Sequence, residues 1–261
     1  MSLSGHFVAA EPGRVFVTAW QAGPINDVAV ICVPPALEEL NASRRQLVVQ
    51  AQGLVSGGVD AFIMDYFGTG DSEGLDYEAS FESWQQSLQA VFEWVLKLGY
   101  KSIILWGVRI GCLVIADFLT QKPRSEVAGI LFWQPLESGK HWITALQRLQ
   151  LLARKRDKND QEFEVAGYQL SEALLEPVRN FEWGQYQACL QQYPLEIILV
   201  SPPANLSERM QQIFSSARSI NQVAGTPFWS IPESPVNRVL ESQTLMQLQA
   251  MASTDKAGQN A

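Results

Sequence analysis

Histidine is nearly missing from this chain: His6 and His141 are the only two in 261 residues. The three cysteines, Cys32, Cys112 and Cys189, are widely spaced and include no Cys-x-x-Cys pair. That spacing gives no sign of a Cys-based zinc site or a disulfide framework; no metal and no cofactor is expected. Cys32 and Cys112 lie in apolar runs and read as free core thiols of a reducing compartment. Long apolar runs are absent too, and none approaches the length of a membrane span. Met1-Ser2-Leu3-Ser4-Gly5-His6 has no basic stretch leading into an apolar one, so a cytoplasmic location is expected. Nor is there a long basic stripe to offset the formal net charge of -8. Such a surface repels a phosphate backbone, which excludes nucleic acid as an expected partner.

What is present is a globular composition, 47% hydrophobic and 18% charged, at a length that suits a single domain spanning 1–261. Asp27–Val33 is short, β-branched and apolar throughout, as a buried parallel strand should be. A helix is expected over Asn41–Ser56, stopped by Gly57-Gly58, then a strand over Ala61–Tyr66 and a helix over Ser80–Leu98 ended by Gly99. Ser102–Val108 reads as a strand running into a helix over Arg109–Gln121. Val127–Gln134, Leu195–Ser201 and Thr226–Ile231 read as further strands, before a last helix over Val236–Met251 and a polar, frayed tail. Residues 7–20 read as a pair of strands forming an antiparallel edge. Repeated strand–helix–strand units with short loops imply a mostly parallel sheet with helices on both faces.

Between Pro135 and Pro194 the rhythm breaks for roughly sixty residues, far longer than an ordinary α/β connection. An insertion over 136–194, helical at about Lys140–Lys155, is expected to cap the sheet edge.

Two motifs sit at that edge. Asp65-Tyr-Phe-Gly68-Thr-Gly70-Asp71-Ser-Glu-Gly74 is a tight glycine turn in which Asp65 and Asp71 can hydrogen-bond loop amides. It resembles the Asp-x-x-Gly-x-Gly-x-Ser-x-Gly loop after the fourth strand of many α/β-hydrolases. The second is Gly107-Val108-Arg109-Ile110-Gly111, where a strand ends, the chain turns and a helix begins. That is the setting of the nucleophile elbow Gly-x-Ser-x-Gly, with arginine at the centre. The expected class is therefore an α/β-hydrolase fold with a helical cap insertion.

Arginine is neither nucleophile nor general base, because its guanidinium stays protonated. The other members of a Ser-His-Asp triad are missing as well. Pro202-Pro203-Ala204-Asn205 follows the strand that usually precedes the acid, and Pro232-Glu233-Ser234 stands where the histidine usually follows the last strand.

The pattern is similar to the exosortase A system-associated hydrolase 2 family of bacteria with the PEP-CTERM protein-sorting and exopolysaccharide system. The resemblance rests on Val33-Pro34-Pro35 with Glu38-Glu39-Leu40-Asn41 and Ser43-Arg44-Arg45, on both loops above, and on Trp133-Gln134-Pro135 with Ser138-Gly139. Val165-Ala166-Gly167-Tyr168-Gln169-Leu170-Ser171 and Pro227-Phe228-Trp229 extend it over nearly the whole chain. It implies a cytoplasmic accessory role near surface-polysaccharide and protein-sorting genes, and it implies no reaction.

Arg109 has two readings. At a helix N-terminus it can grip a carboxylate or phosphate in two parallel hydrogen bonds, with Ala36, Glu38, Glu39 and Ile110 as the remaining expected ligand contacts. Alternatively it is neutralised internally by Glu38 or Glu39, since a buried charge needs a partner. The two coexist if a ligand competes with the glutamate. Pro34 and Pro35 have no N–H for an oxyanion hole, which leaves Ala36.

Weak catalytic candidates are Glu137 and His141, a pair that can activate water. Cys112 reads as core and Ser72 as part of its turn. On the insertion helix, Trp142, Ala145, Leu146, Leu149 and Leu152 share a face, while Arg148, Arg154, Lys155, Arg156 and Lys158 are basic. The face suits a cap packed over the pocket, or peripheral contact with an anionic membrane or a protein through 140–158. The readings left open are an anion- or partner-binding relative without catalysis, a hydrolase with unorthodox residues, and a structural assembly subunit, any of which can be a homo-oligomer.

Overall fold

The computed structural model describes residues 1–23, 27–154, 164–165, 167–200, 206–231 and 233–259. The chain opens with strands β1 (Ser2–Val8) and β2 (Val15–Gln21), then alternates: β3 (Val28–Val33), α1 (Glu38–Ser56), β4 (Asp60–Met64), α2 (Phe81–Lys97), β5 (Ser102–Val108), α3 (Ile110–Gln121) and β6 (Val127–Trp133). Next come α4 (Gly139–Arg154), the short strands β7 (Glu164–Val165) and β8 (Tyr168–Gln169), α5 (Glu172–Arg179) and α6 (Gln187–Leu190). The remaining elements are β9 (Leu195–Val200), α7 (Glu208–Ile213), β10 (Ser219–Val223) and α8 (Arg238–Gln259).

The main sheet has eight strands in the order β1-β2-β4-β3-β5-β6-β9-β10. β1 and β2 are antiparallel to their neighbours, and the other pairings are parallel. Every residue of β3, β4 and β5 is buried, as central strands covered on both faces require. Their side chains alternate between two cores. Val30, Cys32, Ile104, Trp106, Leu131 and Trp133 face Leu47, Leu54, Leu240 and Leu248 of α1 and α8. Ile31, Val33, Ile103, Leu105, Ile130 and Phe132 face the α2 and α3 side, with Trp84, Leu88, Val114 and Phe118.

The segment between β6 and β9 joins that second core. Trp142, Ile143, Leu146, Leu174, Leu175 and Val178 are buried in it, and Trp142 meets Trp84 edge-on at 6.4 Å. The apolar stripe of α4 is thus spent on the protein interior where it is described, although Ala145 and Arg148 are exposed. Residues 155–158 of the basic cluster, and the side chains of Leu149, Leu152 and Arg154, lie outside the described set. Among the described residues no helix is long and apolar enough to cross a membrane.

Beyond shifts of one or two residues, as at β4 and α2, four elements differ from the sequence expectation. The last strand is Ser219–Val223, not Thr226–Ile231. Its alternating burial, with Ile220 exposed, is that of an edge strand, so it lacks the continuous apolar signature. The apolar run at 226–231 contains Pro227 and forms a turn instead. β1 begins at Ser2, because its seven residues pair in register with β2 despite their mixed polarity. α1 begins at Glu38, where two carboxylates in the first turn favour the positive helix end. α8 continues through the polar tail to Gln259, over residues such as Ala and Gln that tolerate helix well.

Packing is tight where α3 leaves β5. A Cβ on Gly111 would sit 2.0 Å from the Val33 carbonyl oxygen and 2.8 Å from that of Pro34. Backbone cannot yield as a flexible side chain does, so Gly111→Ala is expected to cost at least about 3 kcal/mol, or roughly 6 °C in Tm. A thermal melt unchanged by this substitution would contradict the close approach.

Candidate functional site

Five residues, Gly107 to Gly111, build the turn between β5 and α3, and Arg109 stands at its apex with φ 55 and ψ -116. A non-glycine residue held there carries about 1–3 kcal/mol of backbone strain. The turn persists because its ends are tied. The Arg109 N–H donates to the Trp133 carbonyl at 3.0 Å, and the Cys112 N–H donates to the Arg109 carbonyl at 3.1 Å. Gly107 is needed as well, since a Cβ there would lie 3.0 Å from both the Cys112 Cα and its nitrogen.

The neighbouring loop, Pro34 to Leu37, is also strained, with Leu37 at φ 58. Buried Tyr66, stacked on Trp84 with centroids 4.6 Å apart, donates its hydroxyl to the Pro34 carbonyl at 2.7 Å. Beneath it the glycine loop is locked by Asp65, whose Oδ2 accepts from the Asp71 N–H at 3.0 Å and from Arg44 at 3.1 Å. Gly68, Gly70 and Gly74 all have positive φ there. The expectation for Asp71 needs correction: it enters the network through its backbone N–H, and its side chain is exposed. Ser72 donates to the Asp65 carbonyl and accepts from the Phe16 N–H, so its hydroxyl is committed to the turn.

Arg109 meets Glu39, from the first turn of α1. Nε donates to both carboxylate oxygens at 3.3 Å, and Nη2 donates to Oε1 at 2.9 Å. The side chains are 16% and 20% exposed, sheltered enough for the charge pair to matter. Trp229 covers the guanidinium, with 4.8 Å from its carbon to a ring centroid, a cation–π contact. Nη1 has no hydrogen-bond partner among the described residues. Glu38 turns away to Tyr168, whose phenol is raised by burial and further by the Glu38 charge.

Beside the guanidinium opens a cavity of about 320 Å³. Arg109, Gln134, Glu137 and His141 give it polarity, and Leu136, Leu199 and Leu206 are its apolar walls. Arg109 is half-buried, whereas Glu137 and His141 are exposed at the rim. The Ser207 hydroxyl, which caps α7, donates to Glu137 Oε1 and fixes that carboxylate. Gln134, at φ 46, accepts the Val200 N–H at 2.7 Å and so ties β6 to β9 below the cavity.

The sequence-predicted residues therefore divide. Arg109, Glu137 and His141 share the cavity, and Glu39 binds Arg109 from behind. Ala36 and Ile110 are buried and do not line it. Cys112 is fully buried, and burial pushes its thiol well above the usual range, which the Arg109 charge opposes only in part. Such a thiol is inert as a nucleophile. Residues 202–205, expected as the acid loop, lie outside the described set, as does Pro232. Trp229, Gln134 and Ser207 were not anticipated. Pro227 within an apolar run was the signal that the Trp229 segment is a loop.

Solved structures resemble the whole chain. Est1E of Butyrivibrio proteoclasticus, with ferulic acid bound, aligns with a TM-score of 0.70 at 13% identity, covering 95% of this chain and 99% of its own. A haloalkane dehalogenase loop variant from Bradyrhizobium elkanii aligns at 0.61 with 15% identity, covering 98% and 99%. An alpha/beta hydrolase from Novosphingobium aromaticivorans aligns at 0.63 with 14% identity, covering 96% and 98%. No protein-family model matches the sequence, and no curated protein is significantly similar to it. The fold is that of the α/β-hydrolases, and identities this low carry the fold alone.

The Arg109–Glu39 contact is expected to stabilise the protein beyond its parts. A double-mutant cycle with Arg109→Met and Glu39→Gln should give a coupling of roughly 1–2 kcal/mol by chemical denaturation. Additive effects of the two substitutions would mean that the pair is incidental.

Proposed function

We propose that this chain is a non-catalytic α/β-hydrolase-fold accessory protein that binds an anionic small molecule, or the anionic group of a protein partner, at Arg109. Arg109 takes the elbow position at which enzymes of this fold carry serine. The observation that carries the reading is an arginine at the strained apex, half-buried and lining a cavity. In a serine enzyme, strain at this point presents a hydroxyl to the substrate; here it presents a fixed cation. A guanidinium held by Glu39 and Trp229 offers donors to an oxyanion but has no lone pair with which to attack. Two observations weigh against a purely structural, plugged subunit: a cavity remains beside the ion pair, and Nη1 is left without a described partner. The sequence resemblance described above supports a place in the exosortase and exopolysaccharide system, with a cytoplasmic location.

Glu137 and His141 line the same cavity, which keeps water activation as a second reading. One comparison separates them. The purified protein is expected to hydrolyse none of a panel of short acyl and phosphate esters and to take no fluorophosphonate label. Saturable binding of short carboxylates is expected, and Arg109→Ala should abolish it. Ester turnover that persists in Arg109→Ala and disappears in Glu137→Gln would establish catalysis instead.

A further inference from the structure

The cavity is lined by groups of both signs that differ in exposure. Its cation, Arg109, is half-buried, and the Glu137 carboxylate is at the exposed rim. Glu137 is held in place, because the Ser207 hydroxyl donates to Oε1 while accepting the Met210 N–H at the start of α7. Oε2 has no hydrogen-bond partner among the described residues. The imidazole of His141 stands at the same rim. Leu136, Leu199 and Leu206 line the same cavity and suit methylene or branched alkyl groups. A simple anion entering here meets two deterrents: the rim carboxylate and a chain of net charge -8. A ligand of zero net charge that carries both signs meets neither.

Resting on the reading of Arg109 as an anion receptor, we infer that the ligand is a small zwitterion. Its carboxylate sits inward on Arg109, its amine lies outward on Glu137, and an apolar body separates them. Amino acids, ω-amino acids and short peptides have this chemistry. Glu137 then supplies specificity, and Ser207 is a positioning residue acting through it.

Calorimetric titration of the full chain tests this with 6-aminohexanoate and glycyl-leucine against hexanoate and 4-methylpentanoate. An exposed charge pair contributes up to about 1 kcal/mol, so the zwitterions should bind roughly three- to fivefold more tightly than the acids lacking an amine. Glu137→Gln should erase that difference without weakening the plain acids, and Ser207→Ala should reduce it. Hexanoate binding as tightly as 6-aminohexanoate, with both lost in Arg109→Ala, would overturn the zwitterion inference and leave the anion receptor standing. If no probe shows binding that depends on Arg109, both fall.

Discussion

The approach of α3 to the end of β3 is the constraint on which the site depends. Without a side chain at Gly111, the first turn of α3 can lie against the Val33 and Pro34 carbonyls. The chain leaving β5 must then reverse within a few residues, and the reversal forces Arg109 to positive φ. The strain is offset by ties from the Arg109 amide to β6 and from its carbonyl to α3. A residue fixed in this way has its side chain placed by the backbone, independently of what that side chain is. The same scaffold can therefore present a nucleophile or a fixed charge.

A fixed charge at a partly buried point has consequences for its surroundings. Burying a guanidinium without compensation costs several kcal/mol, and Glu39 with Trp229 supplies the compensation. Trp229 comes from the loop after the last sheet strand, where the chain order of a Ser-Asp-His enzyme ends in histidine. Glu39 comes from α1, whose early start at Glu38 brings the carboxylate into reach. Three separate segments thus meet at this point, one supplying the cation and two supplying the groups that compensate it.

The architecture was largely legible in the sequence where physics acts locally. Continuous apolar runs marked β3 and β5, and the Gly-x-Arg-x-Gly spacing marked the elbow. The need of a buried charge for a partner narrowed the choice to Glu38 or Glu39. What decides between them is helix phase, set by the turn at Leu37, and the residues alone do not give it. Edge strands were hard to read, since β10 and β1 bury one face or less and carry mixed polarity. Trp229, Gln134 and Ser207 reach the site through long-range returns of the chain, and no local periodicity signals such contacts. Asp71 was misread because an amide and a carboxylate can serve the same turn.

If Arg109 is a receptor whose charge Glu39 partly neutralises, that glutamate opposes a ligand carboxylate at the same guanidinium even where the ligand takes the Nη1 side. The most direct measurement is hexanoate affinity in the Glu39→Gln variant beside the unaltered protein. Removing the competing charge should tighten binding by roughly tenfold, equivalent to about 1.4 kcal/mol. Affinity that stays the same or weakens in Glu39→Gln would show that ligand and glutamate do not compete, and the receptor reading of Arg109 would fail.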